Sequence, residues 1–235
     1  WRRCPLSDVT ADSMLRDAAM VVGKDLRLEW RSRVTLSQIL PFALLVLILF
    51  AFALDPDRRI LEEATPGLFW LAVLFSMLLA IQRAYAVETA DGVIDALRLS
   101  DLDPAGIFLG KAAGIALHLF VLEVALFAGV TVLYGATPHG GLLVVVTMVL
   151  ATTGLAAAGS IYGVLAAGLR VRDTLLPILM LPVVAPVLIA GTEAFSAAYA
   201  ETSGAGWKWC GLLAAFSVLY LAIGIFAFEP LLEES

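Results

Sequence analysis

The sequence is short of charge, cysteine and histidine, and each shortage closes off a class of function. Only 15% of its 235 residues are charged, against 61% hydrophobic, where ordinary globular domains carry about a quarter charged and about half apolar residues. That composition excludes a water-soluble globular chain and leaves a polytopic membrane protein. The two cysteines, Cys4 and Cys210, stand far apart and fit no CxxC or CxxCH spacing. No zinc, thioredoxin-like or covalent haem site is indicated. Two histidines, His118 and His139, are sparse for a dedicated haem-binding protein. No HExxH or GxSxG occurs, so the signals of a metalloprotease or an esterase are missing. Gly106-Ile-Phe-Leu-Gly110-Lys111-Ala112 is a near miss for a phosphate loop: one residue short, without Ser or Thr after the lysine, and after no strand. The reading is of a chain with no catalytic residues, no metal site and no nucleotide machinery of its own. No nucleic-acid footprint is present either.

What the sequence has in quantity is uncharged length. Residues 34–54, 64–82, 174–192 and 209–228 are free of charge and hold 19 to 21 residues each, and roughly 20 helical residues cross the hydrocarbon. From Ala112 to Leu169 only Glu123 is charged. That run is too long for one span, and the turn residues of Tyr134-Gly-Ala-Thr-Pro-His-Gly-Gly141 split it. Six spans result. They lack the period-2 alternation of barrel strands and are twice too long for them, so they are helices whose backbone groups are satisfied internally. With both termini cytoplasmic, twelve basic residues fall inside and three (Arg58, Arg59, Lys208) outside, which sets the orientation by the positive-inside rule. The net charge of −6 has little weight in that rule.

The flanking segments sort as follows. Residues 1–13 do not resemble the rest and read as a non-native or disordered extension, with Met14 as a start. Residues 14–33 are amphipathic, with Leu15, Ala19, Val22, Leu26 and Trp30 on one stripe and Arg16, Lys24, Arg27 and Arg31 largely opposite. A helix of this type lies in the headgroup plane with Trp30 as anchor, unless it is a plain solvated extension. Residues 34–228 form the six-helix domain, and residues 229–235 an acidic cytoplasmic tail. In the fourth span, Gly154, Ala158, Gly159 and Gly163 allow close helix approach. The fifth span carries Pro177, Pro182 and Pro186. Each removes a helix hydrogen bond and imposes a kink or break, a place for conformational change or a static bend. His118 and Glu123 are the ionisable groups of the third span, and such groups are functional candidates because burying them is costly.

Between spans two and three, residues 83–111 are polar. Glu88, Asp91, Asp95, Asp101 and Asp103 alternate with Val93, Ile94, Leu97 and Leu99 before Pro104 ends the pattern. Val93, Leu97 and Ser100 fit one stripe of a short helix, Asp91, Asp95 and Arg98 another. Such a helix is a handle that a soluble motor can grip; a solvated loop is the alternative.

An amphipathic N-terminal helix, two spans, a cytoplasmic helix, four more spans and a proline-rich fifth together resemble the membrane subunit of a type-2 ATP-binding-cassette exporter. Within that group the chain resembles the CcmB permeases of cytochrome c maturation, from Leu26 to Ala227. The likeness concentrates in Thr65-Pro-Gly-Leu-Phe-Trp70, in Arg83 through Lys111 with Asp91-Gly92, and in Leu179-Met-Leu-Pro182-Val-Val-Ala-Pro186. It departs after Lys111, where Gly114-Ile115-Ala116 stand and His118 is displaced. The resemblance implies an all-α permease in the bacterial inner membrane, with a separate CcmA-like ATPase docking on the Glu88–Ser100 helix. Arg83, Glu88, Asp91, Gly92, Asp95, Leu97, Arg98 and Lys111 are the coupling residues on that reading. Besides membrane lipid, CcmC-like, CcmD-like and haem-chaperone CcmE-like proteins are the implied partners. ATP would sit on the partner, and haem would be a handled or transported ligand, not a cofactor held by this chain. A type-2 permease for a drug, lipid or polysaccharide, or a passive scaffold for maturation proteins, remains the alternative.

Overall fold

The computed structural model describes residues 11–32, 35–54, 58–90, 102–167, 172–200 and 203–234. Every regular element among them is helical. The order is α1 (Ala11–Ser32), a π-helical turn (Thr35–Ile39), α2 (Leu40–Leu54), α3 (Arg58–Ala90), α4 (Pro104–Tyr134), α5 (Gly141–Ala167), α6 (Arg172–Tyr199), a 3-10 turn (Ser203–Gly206) and α7 (Trp207–Glu234). Helices α3 to α7, and α2 together with the π-helical turn before it (Ser37–Leu54), are each long and apolar enough to span a membrane, so the expected six spans are present and the chain is a multi-pass membrane protein. The residues fold this way because an isolated backbone amide is costly in hydrocarbon, and only a continuous helix satisfies it.

Local chemistry sets the ends. Asp103 caps α4, its carboxylate accepting from the Ala105 N–H, with Pro104 in the first turn where no N–H is needed. Gly135 closes α4 at φ 69°, a left-handed conformation that glycine adopts without strain. The expected turn between Tyr134 and Gly141 therefore lies where the sequence put it.

Helix α5 is the hub, packing against α3, α4, α6 and α7. Its glycines are the approach points that the small-residue row implied. Gly154 lies under Phe216 and Ser217 of α7, Gly159 under Ile81 and Met77 of α3, and Gly163 against the Tyr85 ring. Polar contacts then fix the register. Tyr85 donates from its hydroxyl to the Ser160 carbonyl at 2.9 Å, and the Ser217 hydroxyl lies 2.7 Å from the Leu150 carbonyl. On the other side of the bundle the Tyr134 hydroxyl donates to Leu47 of α2 at 2.9 Å. Helices α2 and α7 present Phe42, Leu45, Leu49, Phe52, Leu219 and Phe226 outward, as a lipid-facing surface does.

Two segments show packing that the sequence alone did not indicate. Helix α6 runs unbroken from Arg172 to Tyr199 through all three prolines. Pro182 and Pro186 lie on its exposed side. The helix continues through Phe195 to Tyr199.

The second segment is α1. It begins at Ala11, inside the segment set aside as an extension, and it packs lengthwise on α4. The buried positions are Asp17, Ala18 and Val21, while Leu15 and Ala19 of the apolar stripe are exposed. Met14, Asp17 and Ala18 meet Gly106, Ala18 and Val21 meet Gly110, and Asp25 meets Gly114. That register makes α1 run in the same direction as α4. The cause is steric: three glycines one turn apart leave a groove on α4 that admits a helix backbone. Helix α4 has room to spare, since its 31 residues span about 46 Å, well beyond a hydrocarbon core of about 30 Å.

Candidate functional site

The end of the bundle where α3 stops and α4 starts carries Arg83, Glu88 and Lys111 of the expected coupling residues. Asp103 organises it. One carboxylate oxygen accepts from Ala105 at 3.1 Å, and the Asp103 N–H donates to the Asp17 carboxylate of α1 at 3.3 Å. Two acidic side chains thus gather at the positive end of α4, where the helix dipole favours them. Asp17 is 6% exposed, so this tie between α1 and α4 is shielded from water.

Eight residues further, Lys111 is 5% exposed and its Nζ lies 5.3 Å from the centre of the Tyr85 ring. A cation over an aromatic face in a desolvated site is worth about 2 kcal/mol. Tyr85 in turn holds the Ser160 carbonyl of α5. The chain α1–Asp103–α4–Lys111–Tyr85–α5 is therefore continuous. Arg83 stands exposed at the end of α3. Glu88 belongs to the last turns of α3, with its side chain outside the description. Asp91, Gly92, Asp95, Leu97 and Arg98, and with them the expected coupling helix, lie outside the described residues.

The two ionisable groups of the third span do not join this site. His118 is half-buried and its Nδ1 lies 2.7 Å from the Gly114 carbonyl of its own helix. A carbonyl only accepts, so that nitrogen carries a proton. Glu123 is fully buried, and neither of its oxygens has a hydrogen-bond partner among the described residues. Glu123 and His118 do not pair with each other. Thr152 of α5 is a polar neighbour of Glu123, its hydroxyl beyond ordinary hydrogen-bond distance of any partner among the described residues. No group of three or more His, Cys, Asp or Glu among the described residues is arranged to hold a metal ion.

Sequence reasoning missed Asp17 and Tyr85. The pointer to Asp17 was the row Gly106, Gly110, Gly114, which is a helix-docking pattern once it is no longer weighed as a phosphate loop. Tyr85 had no local signal, because its partners lie on α4 and α5.

A model of the protein family described as CcmB protein matches residues 16–235. The chain belongs to the CcmB family. Among similar curated proteins, "Heme exporter protein B" of Pseudomonas aeruginosa is 29% identical over 216 residues, covering 89% of this chain and 93% of that protein. The protein of the same name from Paracoccus denitrificans is 33% identical over 174 residues, covering 73% and 78%. That from Rhodobacter capsulatus is 32% identical over 179 residues, covering 74% and 79%. The CcmB match takes in α1 from Arg16 onward, the glycine row of α4 and all six spans.

Proposed function

We propose that the chain is the non-catalytic permease subunit of an ATP-binding-cassette haem exporter complex that serves the maturation of c-type cytochromes in the bacterial inner membrane. Membership of the CcmB family over nearly the whole chain carries this reading, with relatives named as heme exporters at about the same length. ATP is hydrolysed on a separate subunit. That subunit seats against residues 88–100, and its stroke enters α3 and α4, the two helices that flank the segment. Both termini are cytoplasmic, as the basic residues require, and the haem-handling partners meet the membrane and the outer face.

The permease drives release of a haem-loaded chaperone instead of carrying haem itself. Two histidines in the chain, one tied to its own helix through Gly114, support that choice. Reconstitution with the ATPase subunit tests the coupling. Charge reversal at Asp91 and Asp95 should abolish stimulation of ATP hydrolysis, and full stimulation in the reversed chain would leave only a scaffold. An ATPase-dead complex should still load haem onto the chaperone and fail to free it.

A further inference from the structure

At the end of the bundle remote from α1, a cleft of about 500 Å³ opens between α3, α6 and the turn joining α4 to α5. Glu62, Glu63 and Pro66 form one wall, Thr137 and His139 the second, and Ser196 and Tyr199 the third. Pro66 belongs to the Thr65–Trp70 motif, and the aromatic residues of that motif build the support beneath. Phe69 stacks on Phe195 at 4.9 Å, Trp70 meets Phe195 at 5.3 Å, and Phe195 adjoins Tyr199. The turn is pinned as well, since the backbone amides of His139 and Gly140 donate to the Ala198 carbonyl at 2.9 and 3.0 Å.

The polar groups in this cleft are matched in kind. The His139 Nδ1 lies 3.1 Å from the Tyr199 carbonyl, so Nδ1 donates and the Nε2 of the neutral ring is left as an acceptor. Glu62 and Glu63 bring carboxylates. Arg59 is engaged by Glu63 at 3.0 Å, and Glu62 has no ion-pair partner among the described residues. The Tyr199 hydroxyl is buried without a partner among the described residues. The carbonyl ends of α4 and α6, the negative ends of their dipoles, reach the cleft at Gly135 and Ala200. Among the described side chains at this end, Glu62, Glu63 and Glu193 stand against Arg59 and Lys208.

We propose that this acceptor-lined cleft receives a basic segment of a partner protein, with an arginine or lysine side chain bound by Glu62, Glu63 and His139. The proposal rests on the orientation given above, in which this end faces away from the ATPase. The experiment uses the full chain in phosphatidylcholine nanodiscs, whose neutral lipid removes non-specific attraction, and the anisotropy of a labelled hexa-arginine peptide. The chain should bind this peptide, should not bind hexa-glutamate, and should lose affinity as salt rises. Glu62→Gln with Glu63→Gln should weaken binding about tenfold, as expected when charge-assisted contacts are lost, and His139→Ala should weaken it less. Glu193→Gln, an exposed carboxylate two turns down α6 and outside the cleft, should change nothing. Equal weakening by Glu193→Gln would reduce the effect to a general negative field and overturn the proposal. So would unchanged binding in the double variant, or calcium binding to the cleft where the peptide does not. Failure here leaves stimulation of the ATPase untouched, and that stimulation is tested at the other end of the molecule.

Discussion

Adding one methyl group at Gly110 should lift α1 off α4. A Cβ built there would stand 2.6 Å from the Val21 Cβ and 2.8 Å from the Ala18 backbone oxygen. Neither is the far end of a flexible side chain, so α1 itself must move. Overpacking of this kind costs about 1–3 kcal/mol, and alanine's helix preference over glycine returns about 1 kcal/mol. The net is about 1 kcal/mol against docking, and Gly110→Val, bulkier and a poorer helix former, should exceed it. The neighbouring glycines grade the effect. Gly106→Ala brings a Cβ to 3.0 Å from Asp17 and the Met14 oxygen, whereas Gly114→Ala makes an ordinary 3.5 Å contact with Asp25. Gly23→Ala, with nothing within 4 Å, serves as the control. Limited trypsin digestion in nanodiscs reads the outcome, because α1 carries Arg16, Lys24 and Arg27 and cleavage tracks the population of the opened form. Cleavage should rise about fivefold in Gly110→Ala, the factor that 1 kcal/mol gives, less in Gly106→Ala, and not at all in Gly114→Ala or Gly23→Ala. Equal rates across all four variants would mean that α1 does not sit on these glycines.

Asp17→Ala should remove the acceptor of the Asp103 N–H and speed hydrogen exchange of that amide, whereas Asp17→Asn, which keeps an acceptor oxygen, should preserve most of the protection. Tyr85→Phe deletes the bond to Ser160, keeps the ring beneath Lys111, and should lower the thermal midpoint by an amount matching about 1 kcal/mol. Tyr85→Ala should cost more, since it also vacates the contact with Gly163. Glu123→Leu should raise the thermal midpoint, because it removes a buried carboxyl that no described group partners; a lowered midpoint would show that the carboxyl is satisfied in the folded chain.

The spans were legible because they depend on one quantity, the length of chain without charge, and the bilayer imposes that length. The turn at Gly135–Gly140 was legible for a local reason: glycine and proline there can do little else. Amphipathicity alone did not show where α1 packs. It shows which stripe is apolar, but the stripe that packs is the narrow one through Asp17, Ala18 and Val21, chosen by the groove on α4. That groove was written in α4, and no inspection of α1 could disclose it. The burial of Lys111 was hidden for a similar reason, since the ring that accommodates it comes from another helix. The cleft lined by Glu62, His139 and Tyr199 draws on three segments separated by many residues, and no spacing rule joins them.

The docking of α1 changes what a push at the inner end would do. On the proposed coupling, force arrives at residues 88–100, directly before the capped start of α4. If α1 lay in the headgroups, α4 would take that force alone and α1 would slip along the lipid. With Asp17 holding the Asp103 amide and three glycines seating the two backbones, α1 and the first turns of α4 form one body. That body is held on two further sides, by Tyr85 of α3 against Lys111, and by Phe108 lodged against Gly224 and Phe228 of α7. A displacement there cannot stay local in a close-packed interior. It must pass along α4 or into α5 through Tyr85 and Ser160, and both helices lead to the turn that forms one wall of the distal cleft. On the proposed coupling, motion at the two ends of the bundle would be linked through α4 and α5, which pack against each other.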